Sequence, residues 1–133
     1  MKKIILTLLI LFPFALVAQT ETDPVVIDTA AINKIAKEKI DTIYAKLMRG
    51  EDFAKLANLY SEDPGSNKTG GGYTDFIEAS NLLPEFWNNT RNLKKGETSK
   101  PFKTQYGWHV SQLIEVHGTE VKFRHIMIST QNQ

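Results

Sequence analysis

The chain contains no cysteine. That absence removes disulfides, thiol nucleophiles and thiolate metal sites together. It also removes a lipoprotein anchor, which needs a cysteine at the cleavage point. An excess of one charge is lacking as well, with 16 basic side chains against 15 acidic ones in 133 residues. Binding to nucleic acid through counterion release therefore has no electrostatic footprint here. Internal repeats and low-complexity tracts are missing. The triplet Gly70-Gly71-Gly72 is not followed by Gly-Lys-Ser/Thr, and no helical pattern opens directly behind it, which argues against a phosphate cradle.

Long hydrophobic runs are scarce, and the one that exists is at the start. Ile4 to Val17 is interrupted only by Thr7 and Pro13, is preceded by Lys2-Lys3, and is followed by the small residue Ala18. The stretch 1–18 reads as a signal peptide cut before Gln19, too short for a comfortable membrane span. Leu16, large for the third position before the cut, leaves an uncleaved anchor as the alternative. Either way the chain is expected outside the cytosol, in the periplasm or on the outer face of the cell envelope. Removing 18 residues takes two lysines and no carboxylate, leaving 115 residues with 14 basic and 15 acidic side chains. This is enough for one small domain whose stability comes from its core alone.

Residues 19–29 form a polar linker with one apolar triplet, Val25-Val26-Ile27, a candidate short edge strand. Asp28 or Thr29 is placed to cap a helix. Ile32, Ile35, Ala36, Ile40, Ile43, Tyr44 and Leu47 then recur at helical spacing, with Lys34, Lys37, Glu38, Asp41 and Lys46 on the solvated side. Gly50 suits the position just past the helix end. A second helix carries Phe53, Leu56, Ala57 and Tyr60 and is stopped by the turn Asp63-Pro64-Gly65. The glycine loop is expected to deliver Tyr73 to Phe76 as a short strand. Pro84 opens a third helix reaching about Leu93. Strands follow around Phe102, over Val110 to Val116, and over Val121 to Ile128. The spacing predicts an α+β fold, with three to four helices on one antiparallel sheet of about four strands.

Six segments carry a resemblance. They are Gly50-Glu51-Asp52-Phe53-Ala54-Lys55-Leu56-Ala57, Tyr60-Ser61-Glu62-Asp63-Pro64-Gly65-Ser66, Gly70-Gly71, Leu83-Pro84-Glu85-Phe86, Lys95-Gly96-Glu97-Thr98-Ser99 and Thr104-Gln105-Tyr106-Gly107-Trp108-His109. None is specific alone, but in this order and spacing the chain resembles the parvulin-type peptidyl-prolyl isomerases, closest to the exported bacterial foldases and chaperones. The resemblance covers roughly Ile32 to Glu115 and implies a parvulin/FKBP-like domain over residues 30–116. It implies unfolded exported polypeptides with X-Pro bonds as partners, and neither a cofactor nor a metal.

The chemistry fits that economy. An X-Pro bond prefers trans only weakly, yet amide resonance sets a rotation barrier of ~18–20 kcal/mol. No bond breaks. A catalyst must hold the proline ring and favour the twisted amide over both planar forms. Leu82, where parvulins usually have Met, and Phe86, their pocket Phe, would hold the ring. Without the resemblance both read as core residues at a helix start. Tyr73 stands where Leu is usual, a bulkier wall. Thr104 and Tyr106 match rim positions. Asp63 matches a place held by Cys or Asp beside the susceptible carbonyl, and otherwise reads as a turn carboxylate. His109 matches one of the family's paired strand histidines, which orient one another and their neighbours.

The chain departs from the pattern in one respect. Parvulin domains open with a strand of the type Arg-His-Ile-Leu that carries the second histidine, and nothing before Ile32 resembles it. Its counterpart is Arg124-His125-Ile126-Met127, in the C-terminal hairpin strand of residues 117–133. That strand either begins a further domain of a tandem foldase, of which this chain would be a piece, or fills the empty slot. Filling it would take a circular permutation or a strand exchange that makes a homodimer. A three-residue loop, His117-Gly118-Thr119, would pair Val116 with Glu120 and hence Ser111 with His125. His125 would then share the face of His109, diagonal to it. A two-residue loop would turn it to the other face. The functional expectation is a peptidyl-prolyl isomerase for exported proteins. The alternatives are a non-catalytic chaperone or peptide-binding module, or a fragment whose incomplete sheet cannot fold alone.

Overall fold

The computed structural model describes residues 26–72 and 75–131. The expected leader, most of the linker and Tyr73 lie outside them. Helix α1 spans Thr29–Met48 and α2 Phe53–Tyr60. Strand β1 (Ile77–Glu78), a 3₁₀ turn (Ala79–Asn81) and helix α3 (Pro84–Thr90) come next. Strands β2 (Phe102–Thr104), β3 (Gly107–His117) and β4 (Glu120–Ser129) complete the order.

The helix boundaries follow local chemistry. The Asp28 carboxylate accepts from the N–H groups of Ala30 and Ala31, and Asp52 accepts from Lys55 N–H. Gly50, at φ +86°, leaves α1 in a conformation that favours glycine. Pro84 sits in the first turn of α3, where its missing N–H costs nothing. The helix ends at Thr90, short of Leu93. Of the apolar face expected on α1, Ala36, Ile40, Ile43 and Leu47 are buried, whereas Ile35 is exposed.

The sheet is antiparallel with order β1-β4-β3-β2. Helices α1 and α2 pack on one face, burying Ile40, Ile43, Leu47, Phe53 and Leu56 against Val110, Ile126 and Ile128. Helix α3 covers the other, where Phe86 joins Phe102, Leu113, Val121 and Phe123. Because both faces are covered, the centres of β3 and β4 are apolar or buried at nearly every position.

Two strand expectations are corrected. No strand lies over Val26 and Ile27. Of the strand expected at Tyr73 to Phe76, residues 73 and 74 lie outside the described residues and Asp75 and Phe76 are not strand; the described strand is Ile77–Glu78, fixed by pairing with Val121 and Glu120. The β3–β4 hairpin also differs. His117 pairs with Glu120, so the loop is Gly118-Thr119, and Val116 pairs with Val121 rather than with Glu120. Gly118, at φ +61°, makes that tight reversal possible. Further along, Leu113 pairs with Phe123 but Glu115 with Lys122, leaving Ile114 as an extra residue in a β-bulge. The bulge shifts the register back by one. Ser111 therefore does pair with His125, and the expected face is reached by a different route.

Candidate active site

The candidate site lies on the α3 face of the sheet. Strand alternation sends His109 of β3 and His125 of β4 to that face, with Phe123 and Met127 flanking His125 two residues away on either side. The imidazoles stack at an interplanar angle of 11°, with Nδ1 to Nδ1 at 3.4 Å. Phe86 reaches down from α3 and meets both rings edge-on, at centroid distances of 5.8 and 5.4 Å. Phe102, paired with His109 across β2 and β3, stacks on its outer side.

Above this floor is an open hollow of about 470 Å³. Leu82, Leu83, Phe86, Ile77, Phe123 and Met127 make it apolar, and Pro64 and Tyr106 continue the wall. The polar residues that line it are Asp63, Asn81, His109 and His125. The size is within the range of small-ligand pockets and suits a proline with its neighbours.

Asp63 is held by its own turn. Gly65 N–H donates to Oδ1 at 3.1 Å, and Asn67 N–H donates to its carbonyl at 2.9 Å. The Ser66 hydroxyl donates to Oδ2, the oxygen that His125 Nε2 approaches at 2.7 Å. At the other end Thr104 Oγ1 lies 2.8 Å from His109 Nε2 and accepts from Tyr106 N–H at 3.1 Å. A single polarity satisfies the whole row. Thr104 donates to His109 Nε2, His109 Nδ1–H donates to His125 Nδ1, and His125 Nε2–H donates to the Asp63 carboxylate. Ser66 and Asp63 share the same imidazole nitrogen, so this is no Ser-His-Asp triad, which would use opposite nitrogens.

Electrostatics agree with that assignment. Burial, the largest cause, pushes His109 down to about 3, so it stays neutral in the fold. The hydrogen bond from His125, joined by that from Ser66, holds the Asp63 carboxyl well below the usual carboxylate range despite its partial burial. An unfolded chain protonates His109 near its ordinary 6.5, while the folded chain does so only near 3. Unfolded molecules therefore bind more protons in between. The contribution is fully present above the ordinary value and is lost as the pH falls toward 3. Asp63 acts in the same direction at lower pH. Thermal unfolding measured from pH 7 to 4 is expected to show a decline, with a slope of at most about 1.4 kcal/mol per pH unit from His109 alone. A His109→Gln variant, which cannot titrate, is expected to show a shallower one.

Most of the expected site residues thus converge. Asp63, Leu82, Phe86, Tyr106, His109 and His125 all line one hollow. Thr104 does not stand at the rim. It is 4% exposed and faces inward, because Phe102 and Thr104 share the inner side of a three-residue strand. Sequence reasoning did not single out Ser66, Phe102, Phe123 or Met127. Ser66 was legible only as a turn hydroxyl. Phe123 and Met127 were within reach, since they alternate with His125 on one strand face.

Among the described residues no group of three or more His, Cys, Asp or Glu is placed to hold a metal ion. A small α+β domain with an apolar hollow seated on a buried histidine pair defines a class, the parvulin-type isomerase fold. The chain belongs to the family of the rotamase PPIC-type PPIase domain, whose model matches residues 16–115. That match ends before β4, so His125 and Met127 lie outside it. The chain is similar to the chaperone SurA of Pseudomonas savastanoi pv. phaseolicola, 43% identical over 84 residues, covering 63% of this chain and 19% of that protein. Chaperone SurA of Hahella chejuensis is 42% identical over 98 residues, covering 74% and 22%. A crystal structure of the peptidylprolyl isomerase PrsA from Bacillus cereus matches at 35% identity and a TM-score of 0.49, over 76% of this chain and 31% of that one. The chain thus spans about a fifth of the length of these two SurA relatives.

Proposed function

We propose that this chain is a peptidyl-prolyl cis/trans isomerase for unfolded, exported polypeptides, and that the hollow over His109 and His125 is where it acts. The observation that carries the reading is the placement of Leu82, Phe86, Phe123 and Met127 around a space floored by the stacked imidazoles. A proline ring entering it leaves water, and the preceding carbonyl leaves water with it. Hydrogen bonds from water strengthen amide resonance, so their loss lowers the cost of twisting the bond. The Asp63 carboxylate, facing the same space, opposes the negative charge that the planar amide places on its oxygen. The histidine row supplies orientation rather than proton transfer: neutral His109 and the paired His125 hold Asp63 and Thr104 in place. The leader read in residues 1–18 would carry the chain to clients in the periplasm or at the outer envelope face. One chain suffices to build the hollow, because β4 returns to its own sheet.

The test is the relaxation of a proline peptide from cis to trans with purified protein. Uncatalysed, this takes on the order of tens to hundreds of seconds. Acceleration proportional to enzyme concentration is expected. Peptide binding without acceleration would replace the isomerase with a binding module, and neither effect would remove both readings.

A further inference from the structure

At the end of the β4 ladder the chain keeps bonding, and its partners belong to the two turns that carry Asp63 and Tyr106 to the hollow. Ser129 N–H donates to Glu62 Oε2 at 2.8 Å, and Glu62 N–H donates back to Met127 O at 2.8 Å. Glu62 immediately precedes Asp63. On the opposite side of the strand end, Thr130 N–H donates to Tyr106 O at 3.1 Å, and Gln131 Nε2 donates to Gln105 O at 3.0 Å. Gln131 N–H closes the segment on Ser129 Oγ at 3.1 Å. Three consecutive residues thus grip both the Asp63 turn and the Gln105-Tyr106 turn.

Tyr106 needs such a grip. Its ring lines the hollow, yet the residue is 47% exposed, so packing alone does not fix it. Its place is set by the two-residue turn between β2 and β3. That turn lies hard against β4, since a Cβ added at Gly107 would come within 2.1 Å of Ile128 O. Thr104 holds the turn from the inside, through Tyr106 N–H. Thr130 and Gln131 hold it from the outside, through its two carbonyls.

We propose that Ser129–Gln131 is a positioning strap that sets Tyr106 against the chain flanking the bound proline. The proposal rests on the isomerase reading above. Tyr106 touches the flanking chain equally in the planar and the twisted states. Losing its position therefore weakens uniform binding, which raises KM and leaves kcat in place. The histidine row, anchored through Thr104 and Asp63, is not disturbed.

Thr130→Pro removes the N–H that reaches Tyr106. Ser129 ends an extended strand, the conformation favoured before proline, so the fold tolerates the change. Thr130→Ala keeps the N–H and serves as the rescue. Gln131→Ala removes the second bond without touching the backbone. Thr130→Pro is expected to raise KM about fivefold, as the population with Tyr106 held in place falls by the worth of one hydrogen bond, with kcat held and Tm lowered by no more than a few degrees. Amide hydrogen exchange at Tyr106 is expected to quicken in the same variant. Gln131→Ala moves both readouts in the same direction, and Thr130→Ala returns them to the wild-type values. Identical KM and exchange in the Pro and Ala variants would overturn the strap, as would a fall in kcat that tracks a fall in Tm. If the wild-type chain shows no acceleration at all, the isomerase reading is what has failed. Exchange at Tyr106 then decides the strap by itself.

Discussion

A chain ended at Gly118 is expected to show no cooperative unfolding transition and no isomerase activity. The reason is the place of β4. Among the described residues it is the only strand that pairs with β1, and it pairs with β3 along nearly its whole length. It sends Ile126 and Ile128 into the core beneath α1 and α2, and Val121 and Phe123 into the core beneath α3. Burying one such side chain contributes about 1.5–3 kcal/mol, so four of them match the whole stability of a typical small domain. Urea titration followed by far-UV circular dichroism would read the outcome. Adding a peptide of residues 119–131 in trans is expected to restore both the transition and the activity. A sigmoidal melt from the shortened chain would show instead that α1 to β3 fold without this strand, and β4 would then not be the element that completes the core.

Phe86→Ala is expected to have the second largest effect. The ring lies 4.6 Å from Phe123 and 5.2 Å from Phe102, centroid to centroid, and rests edge-on against both imidazoles. It is at once the roof of the histidine pair and the wall the proline would touch. Removing it costs ~3–5 kcal/mol of stability as a large-to-small core change. Among molecules that remain folded, kcat/KM is expected to fall by about two orders of magnitude, because the cup loses its principal apolar surface. Phe86→Leu, which keeps most of the volume, separates the two effects. It should melt near the wild type, yet it lacks the flat face that packs on the ring of a substrate proline. Activity unchanged in folded Phe86→Ala would place the reaction somewhere other than this hollow.

Three helix boundaries were readable from the chain because each rests on a local device: Asp28 as a cap, Gly50 past the end of α1, Pro84 at the start of α3. The shared hollow of Leu82, Phe86 and His109 was readable through the ordered family motifs. The β3–β4 register was not. Leu113-Ile114-Glu115-Val116 carries no sign that Ile114 is unpaired, since a bulge is a property of two strands and not of one. The right partner for His125 emerged because two departures, a shorter loop and an extra residue, cancel. β1 was misplaced for a related reason. Asp75 and Phe76 lie ahead of the strand, and contact with Glu120 and Val121 sets it at Ile77–Glu78. Thr104 was assigned to the rim because it matches a rim position of the family the sequence resembles. The alternation of a three-residue strand turned it inward to His109.

The centre of the sheet is made from the segment that leaves the ribosome after α1, α2, α3 and the other three strands. During synthesis the helices and β3 emerge first and wait with an unfilled slot between β1 and β3. For that interval Val110, Leu113 and Phe86 have no lid, and the bare backbone of β3 is open to any passing strand. The nascent protein is for a time just the kind of sticky, half-made chain that a foldase attends to. It becomes self-sufficient only when His125 slides into place, so the step that completes its own architecture is also the step that completes the proposed site.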